Sequence, residues 1–414
     1  MVLIHFSMLT NIEIVFIINL IQGETSMKKT FLKLLADSRL DRESKQVDLD
    51  YTELYRLSRM HQVTALVYNQ IYKFNGIPEE LKEQWKKDTL KINAIQTIKT
   101  EKFLKTYNKF ICNDLKVIAV KGIICRSLYP VPDNRPSNDE DLYIRKEDKD
   151  KVKDILLNEG FTLAVESDDV DTYVDLVSGL SIELHTSLFS KESKAYGKYQ
   201  DEFDNAFDTL VKHDINGQEV YSLSYDLHLL FLLLHFTKHF LHGGVGIRQV
   251  LDIVMYIEAY KDKFNWNHIY EVLDELHIQT FIVNILGLAY VHLELDIDSF
   301  QYPKDFHLLD NDDLLDDILD AGVFGKSSME RVHSSTMTLN ASTGNKSILR
   351  SIFPTSKELS GRYTYLKKYP FLLPIAWLNR IFHYVTDKNN GDSSKTVEIG
   401  NQRIELLKKY DMIK

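Results

Sequence analysis

The sequence has almost no cysteine. Cys112 and Cys125 are the only two in 414 residues, too few for a disulfide scaffold and unable to build a cysteine zinc site. Such scarcity suggests a reducing compartment, so the expected location is the cytoplasm. An excess of basic charge is also missing: 50 Lys and Arg stand against 60 Asp and Glu, a formal net charge of -10. Non-specific nucleic-acid binding usually wants a basic face, so nucleic acid is the less favoured partner, although a local basic patch stays open. Long apolar runs are missing too. Ile-Val-Phe-Ile-Ile-Asn-Leu-Ile over 14–21 is interrupted by Asn19, follows Glu13 and is too short to span a bilayer. No Lys or Arg precedes Lys28, so the positive region of a signal peptide is absent. Met27-Lys28-Lys29 reads as a natural protein start, and residues 1–26 are expected to be a non-native extension or a loosely attached, disordered arm. No membrane partner and no internal repeat are expected.

What is present has ordinary globular composition, 44% hydrophobic and 27% charged, with length enough for two or three domains. Residues 27–115 read as an N-terminal helical segment. Leu54, Leu57, Met60 and Val63 share one face by the helical period, behind a possible cap at Asp50. From Glu79 to Asn113 the apolar stripe is expected at Ile92, Ile95, Ile98, Phe103 and Leu104. At Leu115 the period changes. Residues 116–215 read as an α/β core, with strands at Val117–Val120, Asp139–Ile144 and Phe161–Val165. A hairpin is expected from Thr172–Val177 and Leu180–His185 across Ser178-Gly179. Residues 216–414 read as a C-terminal helical region, with a mobile acidic loop near 309–345 and a final helix over Tyr369–Tyr384.

The chemistry concentrates between Val117 and His185. Strand side chains alternate, which puts Asp139 and Asp141 on one face and Glu140, Leu142 and Ile144 on the other. Paired carboxylates at a strand end repel unless a cation lies between them, and oxygen ligands suit Mg2+. On a later strand Glu183 and His185 share a face, so Glu183 offers a third carboxylate. Two metal ions would then clamp the attacking and leaving oxygens of a phosphoryl transfer. Gly122 opens a helix where backbone amides meet anions, and Lys121 and Arg135 offer charge to a triphosphate. The competing reading makes Lys121 and Arg135 members of ordinary ion pairs. Glu140 is awkward, because a carboxylate on the core-facing side is costly to bury.

Val-Lys-Gly-Ile-Ile-Cys, Leu-Tyr-Pro, Arg135 and Asp-Glu-Asp-Leu-Tyr-Ile resemble the nucleotidyltransferase superfamily that includes DNA polymerase β. They resemble more closely its bacterial branch described as uncharacterised nucleotidyltransferases. The likeness runs over most of residues 45–390 and takes in His61-Gln-Val, Glu-Leu-His, His235-Phe-Thr-Lys-His239, Arg248 to Asp252 and Phe353-Pro354. It implies an α+β fold, a polymerase-β-like mixed sheet flanked by N-terminal and C-terminal helical segments. It also implies a two-Mg2+ site that transfers a nucleoside monophosphate from a nucleoside triphosphate to an acceptor hydroxyl. By position, Asp139 and Asp141 become metal ligands and Glu183 the third catalytic carboxylate. Lys121-Gly122 takes the place of the superfamily's phosphate-binding Gly-Ser or Gly-Gly turn. This chain departs in having Ile123 where the superfamily often has Ser, and Glu140 where an apolar residue is usual.

His228, His235, His239 and His242 fall on roughly one helix face. A zinc-protease helix needs Glu where Phe236 stands, so that reading is rejected. His235, Lys238 and His239 are expected near phosphate or acceptor, and His185 with the nucleotide-binding residues. The competing reading makes the four histidines ordinary core or surface residues. Arg248 and Asp252, four apart, suggest a helix ion pair. The acceptor (small molecule, sugar or protein) is open, and a toxin-like enzyme modifying protein or RNA is not separable from it. The rival to an enzyme is a catalytically weak binding or regulatory module that keeps the fold.

Overall fold

The computed structural model describes residues 27–413 apart from 48, 304–308, 324–327, 344–355, 357–358, 360–362, 364, 367 and 387–392. The extension expected over 1–26 lies outside the described residues, as does Phe353-Pro354. Four helices come first: α1 (Met27–Arg39), α2 (Tyr51–Met60), α3 (Thr64–Ile71) and α4 (Glu79–Cys112). Asp50 caps α2 as expected, accepting hydrogen bonds from the Thr52 and Glu53 amides. In α4 the expected stripe holds at Phe103 but fails at Ile95 and Ile98, which are exposed. The buried face is Trp85, Thr89, Gln96, Phe103, Tyr107 and Phe110. It keeps a helical spacing, but the four- and seven-residue steps through Thr89 and Gln96 are invisible to a count of apolar residues alone.

The sheet holds β1 (Ile118–Val120), β2 (Asp139–Tyr143), β3 (Thr162–Val165), β4 (Val170–Val174), β5 (Ser181–His185), β6 (Val211–Ile215) and β7 (Gln218–Ser222). Their order is β3-β4-β5-β2-β1-β7-β6. β5 runs parallel to β2, while β1 is antiparallel to β2 and parallel to β7. A parallel neighbour needs a crossover. Here it consists of helix Lys149–Asn158 and strands β3 and β4, and the expected β4–β5 hairpin closes it. Asn216 and Gly217 both take positive φ between β6 and β7, the conformation a two-residue hairpin turn requires. Tyr107 fastens α4 beneath the sheet: its hydroxyl donates to the Val117 carbonyl and accepts the Tyr221 amide at 2.8 Å.

In chain order the remaining helices are α5 (Gly122–Arg126), α6 (Lys149–Asn158), α7 (Tyr225–His242), α8 (Ile247–Ala259), α9 (Trp266–Glu275) and α10 (Gln279–Leu293). The chain forms two compact units. One holds the residues up to His235 together with Ile247–Asn311; the other holds Phe236–Gly246 and Asp312–Lys414. The divisions expected at 115/116 and 215/216 therefore do not separate compact units. In the second unit, α11 (Asp312–Ala321), α12 (Met329–Ser342), α13 (Leu373–Thr386) and α14 (Ser393–Lys409) are helices. The first two replace the loop expected over 309–345, and α14 follows the helix expected to be last. The acidic run folds because Leu314, Leu315, Ile318 and Leu319 share a buried face. Its half-buried acid, Asp317, pairs with Arg331 at 2.6 Å and with Arg403 at 3.3 Å. Among the described residues no helix is long and apolar enough to cross a membrane.

Candidate active site

β2 and β5 bring the sequence-distant acids together. In their parallel register Asp141 lies opposite Glu183, and Tyr143 opposite His185. His185 reaches back between the two carboxylates, its Nε2 3.0 Å from Asp141 Oδ1 and 3.7 Å from Glu183 Oε2. Asp141, Glu183 and His185 each offer a ligand atom, and these atoms all lie within 4.8 Å of one another. Two oxygens and one imidazole nitrogen are a donor set that fits a divalent cation. Asp141 and His185 are buried and Glu183 is half-buried, so the set has one open side.

Asp139 sits at the start of the same strand, half-buried and opposite Ser181. Burial raises its pKa above the ordinary carboxylate value, and the neighbouring Asp141 charge raises it further. Lys121 opposes the shift, which places its positive charge near Asp139. Among the described residues the Lys121 ammonium makes no hydrogen bond and no ion pair. Lys99 of α4 is a further cation here and was not foreseen. It donates to the carbonyl of Ser137 at 3.2 Å, and burial lowers its pKa.

Glu140 resolves the awkwardness noted in the sequence. Its side chain is buried against Arg126, Oε1 to Nη1 2.8 Å, and its Oε2 accepts the Ile123 amide at 2.6 Å. A carboxylate is thus satisfied by a guanidinium and by an otherwise orphaned amide at the start of α5. The arrangement also explains Gly122, because a Cβ there would fall 2.0 Å from Glu140 Oε2. The glycine expected to admit a phosphate admits the protein's own carboxylate.

Arg135 is also placed differently from the expectation. It is buried, and Nε and Nη2 pair with Asp252 at 3.0 and 2.6 Å. Its charge is therefore spent on a structural pair and does not face a triphosphate. Burial would raise the Asp252 pKa, but Arg135 outweighs it and holds that carboxyl below the usual range. The expected Arg248–Asp252 helix pair is replaced: Arg248 Nη1 donates to Gln62 Oε1 at 2.5 Å and to the Pro136 carbonyl at 2.7 Å. Burial lowers the Arg248 pKa to about 10.

The histidine face divides. His228 is fully buried, its Nε2 accepts the Lys121 amide at 3.1 Å, and burial lowers its pKa to about 3. His235 stacks on Phe231 with ring centroids 5.3 Å apart. Lys238 and His239 lie on the part of α7 that belongs to the second compact unit. What the structure brings together is Lys121, Asp139, Asp141, Glu183 and His185. Sequence reasoning missed Arg126 and underrated His228. The i+4 step from Gly122 to Arg126 and the place of Glu140 between two acids were the available signals.

The family described as uncharacterised nucleotidyltransferase matches residues 48–294, more than half of the chain. No curated protein and no solved structure matches.

Proposed function

We propose a function from one premise: the chain belongs to the uncharacterised nucleotidyltransferase family. Family membership implies a nucleotide substrate, and the finer reading is a divalent-metal-dependent transfer of a nucleoside monophosphate from a nucleoside triphosphate to an acceptor hydroxyl. An oxygen–phosphorus bond to the acceptor forms at the α-phosphorus, the bond to pyrophosphate breaks, and the hydroxyl proton leaves to a base. The single observation that carries this reading is the opposition of Asp141 and Glu183 across the β2–β5 register with His185 Nε2 between them.

Asp141 and Glu183 are the residues to hold a metal ion, with His185 beside them and Asp139 the further ligand to a second ion. A divalent ion bound there supplies positive charge to the phosphate oxygens and makes the acceptor hydroxyl more acidic. Mg2+ suits the carboxylates. Two ions are the proposed number. Lys121, an ammonium without a hydrogen bond or ion pair among the described residues, is the cation for the triphosphate. Glu183, which is half-buried, is alternatively the acceptor of the hydroxyl proton. His235, in the first compact unit, remains a candidate contact for phosphate or acceptor.

Thermal unfolding tests the reading without knowledge of the acceptor. Wild type is melted with each of the four nucleoside triphosphates, with and without Mg2+, beside Asp139→Asn and Asp141→Asn. A nucleotide at about a hundred times its dissociation constant adds about 2.7 kcal/mol of stability. The expected result is a metal-dependent rise with one nucleotide that both variants lose. A rise that survives both substitutions removes the carboxylates from the site.

A second reading, a nucleotide-binding or regulatory module with weak catalysis, is favoured by one observation. The Ile123 amide, at the turn where the superfamily binds phosphate, is already taken by Glu140. Stabilisation by nucleotide with no release of pyrophosphate in the presence of varied acceptors distinguishes it.

A further inference from the structure

We propose that the Lys121–Gly122 turn is braced from within by His228 and Glu140, so that the Lys121 side chain, and not the amides of Lys121 and Ile123, holds the nucleotide's phosphates. The inference rests on the nucleotide-binding reading above.

The turn has an uncomfortable backbone. Lys121 takes φ 80° and ψ −113°, a conformation that residues with a Cβ avoid and that persists only where neighbours over-determine it. The neighbours here are specific. The Lys121 amide donates to His228 Nε2 at 3.1 Å, and the Lys121 carbonyl accepts the Cys125 amide at 2.9 Å. Two residues on, the Ile123 amide donates to Glu140 Oε2, whose other oxygen pairs with Arg126. His228 is itself confined, with the Tyr256 ring centroid 4.8 Å away and Phe231 on its edge. To accept an amide proton its Nε2 must carry a lone pair, which the neutral ring provides.

Two consequences follow for a phosphate at this turn. The amides of Lys121 and Ile123 are committed to protein acceptors, so two donors of the backbone cradle that a glycine turn would offer are closed to a phosphate. The Lys121 ammonium makes no hydrogen bond or ion pair among the described residues, and its charge acts on Asp139. A charged donor beside the carboxylates replaces the missing amides and the missing hydroxyl at Ile123. His228 is then a positioning residue: it does not touch the nucleotide but fixes the direction in which Lys121 leaves the chain.

The test is a double-substitution cycle on Lys121 and His228. The probe is whichever of ATP, GTP, CTP or UTP stabilises the wild type, titrated by calorimetry with Mg2+. Lys121→Met and His228→Leu are each expected to weaken binding about tenfold, the worth of one charge-assisted hydrogen bond. The double variant is expected to be no weaker than Lys121→Met alone. His228→Gln, whose amide oxygen reaches where Nε2 stands, is expected to restore binding to within about threefold. Additive losses, or a glutamine variant as weak as the leucine one, overturn the inference. Should His228→Leu fail to fold, Lys121→Gly decides. Glycine takes φ 80° freely, so the free protein is expected to melt at a higher temperature while triphosphate affinity falls about tenfold. Unchanged affinity in that variant overturns the inference. A wild type stabilised by no nucleotide overturns the nucleotide-binding reading and this inference with it, whereas a wild type that binds with an additive cycle overturns this inference alone.

Discussion

At the scale of single residues the site is organised by one acid that does no chemistry. Glu140 points away from Asp139 and Asp141, under the turn, and its carboxylate joins Arg126 to the Ile123 amide. Both charged side chains are almost completely buried, at 1% and 3% exposure. A buried pair contributes little net stability against an apolar replacement, yet removal of one member leaves a bare charge in the interior. Arg126→Met is therefore expected to cost about 3–5 kcal/mol in urea unfolding. The Arg126→Met/Glu140→Gln double variant is expected to cost less than the sum of its single changes. Strict additivity would show that the two side chains do not depend on each other.

At the scale of elements, strands were easier to read than helix faces. Short β-branched and alternating runs announced β1, β2 and β5, and alternation alone divided Glu140 from its neighbouring aspartates. The pairing of β2 with β5 could not be read the same way, because register between distant strands is set by side chains that meet only after folding. Helix α4 was found but turned wrongly. Its buried face contains Gln96, which is satisfied by the Ser137 amide at 2.8 Å, and a polar residue with a distant partner looks like solvent-facing sequence. Helix α11 shows the same limit from the other side. Its aspartates suggested a loop by composition, but Asp317 finds Arg331 and Arg403 far along the chain. In the candidate site, residue types were legible and allegiances were not: Arg135 and Asp139 are both charged residues of one loop-and-strand stretch, and only the fold commits the first to Asp252.

At the scale of the whole molecule, acid sensitivity should follow from one buried and two half-buried histidines. Burial lowers His228 to about 3, His242 to about 4 and His292 to about 4. In the unfolded chain these groups take up protons near pH 6.5. Between that value and their folded values the unfolded state binds more protons, so stability is complete above about pH 6.5 and falls as pH drops toward 4. Each group contributes a slope of up to about 1.4 kcal/mol per pH unit in that window. Asp139 works in the opposite sense, since its raised pKa favours the protonated, folded form in acid. Urea unfolding at pH 7, 6 and 5 is expected to show the loss, and His228→Gln to flatten it; an unchanged slope in that variant would mean that His228 does not titrate on unfolding. The β2–β5 register has a kinetic consequence as well. Closing the β2–β5 seam brings Asp141 opposite Glu183. A cation recognised only by the closed seam then acts as a latch, slowing escape from the native state while leaving the approach to it unaided. Stopped-flow unfolding with and without Mg2+ reads this directly, the expected sign being a lower unfolding rate at an unchanged folding rate.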